Sequence, residues 1–288
     1  MIERRVFLAG LAALPIGCAT GGGRGGDQID LAAIQGVLGA DARLGVAALD
    51  SGSGRTLLHD ADSRFAMCST IKLPLAAAVL TKVDRGEIAL DEALPLTQAD
   101  ILSHSPVSET RVAAGAISVE DACAAVIEIS DNAAANLLLR RIGGPQRLTA
   151  FTQVLGDYTT RFDRYEPELN IFVPGDPRDT TTPLAMLGLL RAFLLGDTLS
   201  AGARRRLIGW MESSTTGRER LRAGLPAGWR VGDKTGTAGS ANNDVAIAWP
   251  PQRAPILIAS YIDAPSASGA TRNGAHAAVA QVIATAFA

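Results

Sequence analysis

A serine and a lysine three residues apart, Ser69 and Lys72, open a segment in which residues 75–80 are apolar throughout. On a helix this spacing sets both side chains on one face about a turn apart, so the amine can reach the hydroxyl it would deprotonate. A helix that is apolar on every side is a buried one, and a hydroxyl in its first turn lies at the positive end of the dipole. Pro74 is expected to kink or tighten the start of that helix. Alone, the S-x-x-K pattern is a weak signal, read first as a serine cap followed by a solvated lysine. The lysine count adds weight to the chemical reading, since 27 Lys plus Arg divide into three lysines, Lys72, Lys82 and Lys234, and 27 − 3 = 24 arginines. A desolvated lysine can give up a proton where arginine cannot, so a lysine retained beside a buried hydroxyl suggests proton transfer.

Two further short motifs stand at a distance from the first. Ser130-Asp131-Asn132 falls between two helical segments, where small polar residues also serve as ordinary caps. Lys234-Thr235-Gly236-Thr237 lies on a strand of short side chains, which lets a ligand approach the backbone closely. Between them comes a loop that includes Arg161, Arg164, Glu166-Pro167-Glu168-Leu169-Asn170 and, beyond it, Asp179.

In the order S-x-x-K, S-D-N, E-P-E-L-N and K-T-G, these four motifs resemble those of the class A serine β-lactamases, from about Asp27 to the C-terminus. The resemblance implies a β-lactamase/transpeptidase-like fold and a set of roles. Ser69 would be the nucleophile, and its backbone N–H with that of Thr237 would form the oxyanion hole, worth roughly a few kcal/mol per donor. Lys72 and Glu166 would share the duty of base in acylation, and Ser130 would pass a proton to the leaving nitrogen. Glu166 and Asn170 would hold the hydrolytic water, on a loop braced by Arg164 and Asp179 and containing a cis Glu166-Pro167 bond. Asn132 would hold the substrate's side-chain amide, while Lys234, Thr235, Gly236 and Thr237 would receive its carboxylate. Arg220, in the segment after Thr215-Thr216-Gly217, would support that carboxylate, since residues 235–249 contain no arginine. His104 stands near the usual place of an aromatic gatepost at the site mouth.

The implied function is an exported β-lactamase that gives antibiotic resistance by hydrolysing penicillins or cephalosporins. Alternatives are a D-Ala-D-Ala carboxypeptidase or transpeptidase, and a β-lactam sensor that stays acylated. No cofactor and no metal are expected, the three histidines His59, His104 and His276 having no ligand spacing. The expected partner is a small β-lactam, with no nucleic acid and no protein partner, and a monomer is the default. Two disulfides known in relatives are not expected, because Ala76 and Ala238 occupy the positions of the second cysteines.

These residues need a scaffold. With 288 residues, 47% hydrophobic and 19% charged, the chain has ample core, and its net charge of −2 argues against nucleic-acid or anionic-membrane partners. Alternating apolar runs predict strands at 44–49, 56–59, 229–237, 244–249 and 256–262, and 3.6-residue periodicity predicts helices at 27–38, 69–86, 118–129, 132–142, 145–155, 183–195, 201–211 and 274–287. Strands at both ends with helices between them predict an α/β two-domain (α+β) fold. Its antiparallel five-stranded sheet would be built from both termini, 27–66 with 213–288, and an all-helical domain, 67–212, would be inserted. The site is expected where the two meet.

Residues 1–26 read as an export signal and a glycine-rich linker. Arg4 and Arg5 precede an apolar run, 6–17, too short to span a bilayer, and resemble a twin-arginine signal for the periplasm. The stretch ending at Cys18 partly resembles a lipoprotein box, which leaves a lipid anchor at Cys18 open.

Overall fold

The computed structural model describes residues 26–173 and 175–288; Arg4, Arg5 and Cys18 lie outside them. From its N-terminal end the chain forms β1 (Asp27–Gln28), α1 (Ala32–Leu38), β2 (Arg43–Asp50), β3 (Thr56–His59) and β4 (Phe65–Ala66). A 3-10 turn, Cys68–Ile71, leads into α2 (Lys72–Asp84). There follow β5 (Ala93–Pro95), α3 (Pro106–Arg111), β6 (Ala116–Ser118), α4 (Val119–Glu128), α5 (Asn132–Ile142), α6 (Pro145–Val154), β7 (Thr180–Thr181), α7 (Pro183–Leu194), α8 (Ala201–Glu212) and α9 (Leu221–Gly224). The chain closes with β8 (Arg230–Ala238), β9 (Ala241–Trp249), β10 (Ile256–Asp263) and α10 (Gly269–Ala286).

The main sheet has the order β1-β3-β2-β10-β9-β8. Its five long strands are antiparallel, as the alternation predicts, and the two-residue β1 adds a sixth strand that runs parallel to β3. Strand periodicity sorts the side chains by face. Leu44, Val46, Ile256 and Ile258 pack under α1 and α10, while Ala47, Leu49, Leu257 and Tyr261 face the helical part. The larger core cluster is continuous from that sheet face through α2, α4, α5, α7 and α8. Sheet and helices are therefore held as one frame around the cleft between them.

Local signals explain most of the boundaries. Ser118 caps α4 by accepting from Asp121 N, Asp131 caps α5 by accepting from Ala134 N, and Gly143 ends α5 at φ 97. α2 is buried along residues 72–81, and Pro74 falls in its first turn, where the preceding 3-10 turn has already tightened the chain. The part expected to be all helix, 67–212, also contains the strands β5, β6 and β7: β5 pairs with β6, and β7 pairs with β4, which lies just before that part. Runs of two or three residues carry too little alternation to be read from sequence. α10 begins at Gly269, five residues earlier than the apolar pattern suggests, because Ser268 caps it through Thr271 N. Conversely, α1 starts only at Ala32.

Candidate active site

The 3-10 turn presents Ser69 at the N-terminal end of α2, and Lys72, the first residue of that helix, is completely buried beneath it. Five oxygens surround Lys72 Nζ: Asn132 Oδ1 at 2.5 Å, Ser130 O at 2.8 Å, Ser69 Oγ at 2.9 Å, Glu166 Oε1 at 3.0 Å and Ser130 Oγ at 3.2 Å. An ammonium has three hydrogens, so these acceptors compete for them. Burial lowers the Lys72 pKa, and the neighbouring Glu166 carboxylate opposes the shift. The result is an amine adjacent to a hydroxyl and easier to deprotonate than an exposed lysine.

Glu166 is 3% exposed and is pinned through its backbone, which exchanges two hydrogen bonds with the Asn136 amide, at 2.8 and 2.9 Å. Its Oε2 accepts from Asn170 Nδ2 at 2.5 Å, and the Glu166-Pro167 bond is cis. The loop carrying both residues is braced at its neck. Arg164 Nε meets Asp179 Oδ2 at 2.6 Å, while Asp179 Oδ1 accepts from the backbone N–H groups of Asp163 and Arg164. Burial raises the Asp179 pKa against these bonds.

Ser130 is shared by the two lysines, its Oγ lying 3.2 Å from both Lys72 Nζ and Lys234 Nζ. Lys234 is fully buried, and desolvation followed by repulsion from Lys72 pushes its pKa well below the usual lysine value. Asp131, the middle residue of the motif, is structural. It accepts from Val107 N, Ser108 N, Ser108 Oγ and Ala134 N, and so locks α3 to α5.

On β8, Gly236 permits the closest approach in the site. A Cβ there would stand 2.5 Å from Met67 O and 3.1 Å from Ser69 N, so only glycine lets the strand press on the Ser69 turn. Arg220 reaches the same strand from the segment before α9. Its guanidinium donates to Thr237 Oγ1 at 2.6 Å, Asn243 O at 2.7 Å and Gly236 O at 3.3 Å, and its Nε to Asn273 Oδ1 at 3.1 Å. His104 is exposed at the rim, and its ring sits 2.8 Å from Ile129 O. Three residues in or beside the site, Cys68, His104 and Ser130, and the loop anchor Asp179 hold positive φ without being glycine. Left-handed backbone of this kind persists only where surrounding contacts enforce it.

A cavity of about 310 Å3 opens at this point. Ser69, Ser130, Asn132 and Asn170 line it from the helical side, and Thr235, Thr237 and Arg220 from the sheet side, with His104 at the mouth. Lys72, Glu166, Lys234 and Gly236 are buried around it. Thus the structure gathers Ser69, Lys72, Ser130, Asn132, Glu166, Asn170, Arg220 and 234–237 at one cavity, with Arg164 and Asp179 apart at the neck of the loop. It adds Thr216, a lining residue whose hydroxyl accepts from Thr235 Oγ1 at 2.7 Å, and Asn136, the holder of Glu166. Thr216 was within reach of sequence reading, since it belongs to the Thr215-Thr216-Gly217 segment that leads to Arg220. Asn136 carries no local signal, because its partner is 30 residues away.

Chemically, the arrangement offers a hydroxyl beside a lowered-pKa amine, a buried carboxylate and, in Lys234 and Arg220, two basic side chains on the sheet side. It can attack an acyl carbon and hold an anionic group while doing so. The model of the β-lactamase enzyme family matches residues 31–287. The chain is 50% identical to β-lactamase AST-1 of Nocardia asteroides over 76% of its own length and 70% of that protein's. It is 42% identical to β-lactamase CTX-M-8 of Citrobacter amalonaticus over 84% of this chain and 83% of the other. Among solved structures, an ancestral (GNCA) class A β-lactamase superposes with a TM-score of 0.87 at 49% identity, covering 89% of this chain and 98% of that one. A β-lactamase from Xanthomonas campestris gives 0.86 at 47%, with 89% and 96% covered.

Proposed function

Because this chain belongs to the class A β-lactamases, we propose that it hydrolyses the β-lactam amide of penicillins and cephalosporins through an ester on Ser69. Ser69 Oγ attacks the lactam carbonyl as its proton leaves toward Lys72, directly or by way of Glu166. The oxyanion is received by the N–H groups of Ser69 and Thr237. The C–N bond then breaks, and the nitrogen takes a proton from Ser130, which is resupplied from the two lysines beside it. Asn132 orients the substrate's amide, while Lys234, Thr235 and Arg220 hold its carboxylate. Glu166 then removes a proton from a water that attacks the ester, and the Ser69 hydroxyl is restored.

The observation that carries this reading is the Glu166 carboxylate, buried, fixed at its backbone by Asn136 and held at Oε2 by Asn170, 3.0 Å from the amine that itself touches Ser69. A base so placed supports release of the ester as well as its formation. The test is hydrolysis of a chromogenic cephalosporin by the purified protein, with steady turnover expected and loss of it in Ser69→Ala. A single stoichiometric burst without turnover would instead favour a sensor or penicillin-binding protein.

We also propose that Arg4 and Arg5 direct export to the periplasm, on the strength of their position before the apolar run 6–17. Replacing both with lysine should abolish periplasmic activity and resistance of the host; unchanged resistance would refute the twin-arginine reading.

A further inference from the structure

We infer that Asn243 is a positioning residue for the nucleophile, tying the Ser69 turn to the sheet that carries the rest of the site. One row of the main sheet runs beneath that turn. Gly236 is paired with Asn243, Asn243 with Tyr261, and Tyr261 with Gly45. Directly opposed residues of antiparallel strands point to the same face, so the four form a single line of side chains. Each meets the segment 65–70 from below. A Cβ on Gly45 would come within 2.5 Å of the Phe65 ring. The Tyr261 ring lies 5.9 Å from that of Phe65, and its hydroxyl bonds Thr70 Oγ1 at 3.2 Å. Asn243 Nδ2 donates to Ala66 O at 2.8 Å and to Met67 O at 3.1 Å. Gly236 makes room for Ser69 N.

Of the four, Asn243 alone grips the backbone immediately before the nucleophile with a side chain. The residue it thereby restrains, Cys68, holds φ 47, an unfavourable value for a non-glycine residue that a freed turn would relax. Asn243 is completely buried, and its Oδ1 has no hydrogen-bond partner among the described residues. A buried orphan oxygen destabilises a fold, so the amide is explained by what its Nδ2 does. The backbone of the same residue serves the other half of the site, because its carbonyl accepts from Arg220 Nη1 at 2.7 Å. One residue therefore sets the register between the Ser69 turn and the strand bearing Thr237, whose N–H groups must converge on a single oxygen. A misplacement of about 1 Å in such a constellation costs roughly a hundredfold in rate.

This inference rests on the hydrolase reading above. Acylation is followed by stopped-flow in the full chain, and noncovalent substrate affinity is measured in a Ser69→Ala background. Asn243→Ala should lower the acylation rate by about ten- to a hundredfold while the affinity changes less than twofold. Asn243→Ser, which keeps a donor on a shorter arm, should lower the acylation rate by more than threefold at unchanged affinity, and decides the matter if the alanine variant does not fold. Wild-type acylation within threefold in the soluble variants, or equal losses of rate and affinity that track the melting temperature, would overturn it. Absence of turnover in the wild type would instead remove the reading beneath it.

Discussion

Arg220, singled out in the sequence by the segment that precedes it, is carried by the fold to the strand that bears Lys234. It is 7% exposed, and burial lowers its pKa while Asp244 and Asp233 oppose the shift, so it remains a cation beside the cavity. Its guanidinium lies against Thr237 and Gly236, on the same strand as Lys234. A charge-assisted hydrogen bond to a substrate carboxylate is worth roughly 1.5–3 kcal/mol. Arg220→Ala should therefore reduce kcat/KM by about ten- to a hundredfold, and an effect below about twofold for penicillins and cephalosporins alike would assign the carboxylate elsewhere. The short motifs were legible in the sequence because each packs several functional groups into a few residues. Asn136, Thr216 and Asn243 were not singled out, since each acts on a partner many positions away and an isolated asparagine or threonine has many ordinary uses.

α10 illustrates what a helix contributes from the far side of the sheet. His276, on its buried face, sits with Nδ1 2.9 Å from Ser260 Oγ and Nε2 3.0 Å from Asn242 O, and it is completely buried. Burial, with repulsion from Arg220, lowers its pKa to about 3. Its ordinary value is 6.5. Between pH 6.5 and 3 the unfolded chain therefore binds a proton that the folded chain refuses. Stability contributed by the neutral ring is present above 6.5 and is lost as pH falls through that window, at up to about 1.4 kcal/mol per pH unit. Urea midpoints at pH 7, 6, 5 and 4 should decline for the wild type, and His276→Gln should decline less steeply; identical slopes would show that other groups govern acid sensitivity. Periodicity placed the body of this helix and of the other long ones. It did not reveal the caps that fix their starts, or the two- and three-residue strands β4 to β7, which exist because the surrounding packing leaves their backbone groups facing one another.

The molecule as a whole is arranged so that no single element owns the site. Ser69 and Lys72 come from the turn and helix at the centre of the larger core, Ser130 and Asn132 from a helix junction, Glu166 and Asn170 from a braced loop, and Lys234 to Thr237 from the strand at one edge of the sheet. That edge lies across from residues more than 100 positions earlier, as the Lys234 to Ser130 bond shows. Strands at both ends of the chain made the overall plan readable in advance. The convergence of four distant segments on one 310 Å3 cavity required the folded structure. Glu166 is the deciding residue, because only a base near the ester distinguishes a hydrolase from a protein that β-lactams merely acylate. Mass spectrometry of Glu166→Ala mixed with penicillin is the direct measurement. Protein plus one intact penicilloyl group should persist for many minutes, with none accumulating on the wild type at steady state. Near wild-type turnover by Glu166→Ala, or a stable adduct on the wild type itself, would contradict this role.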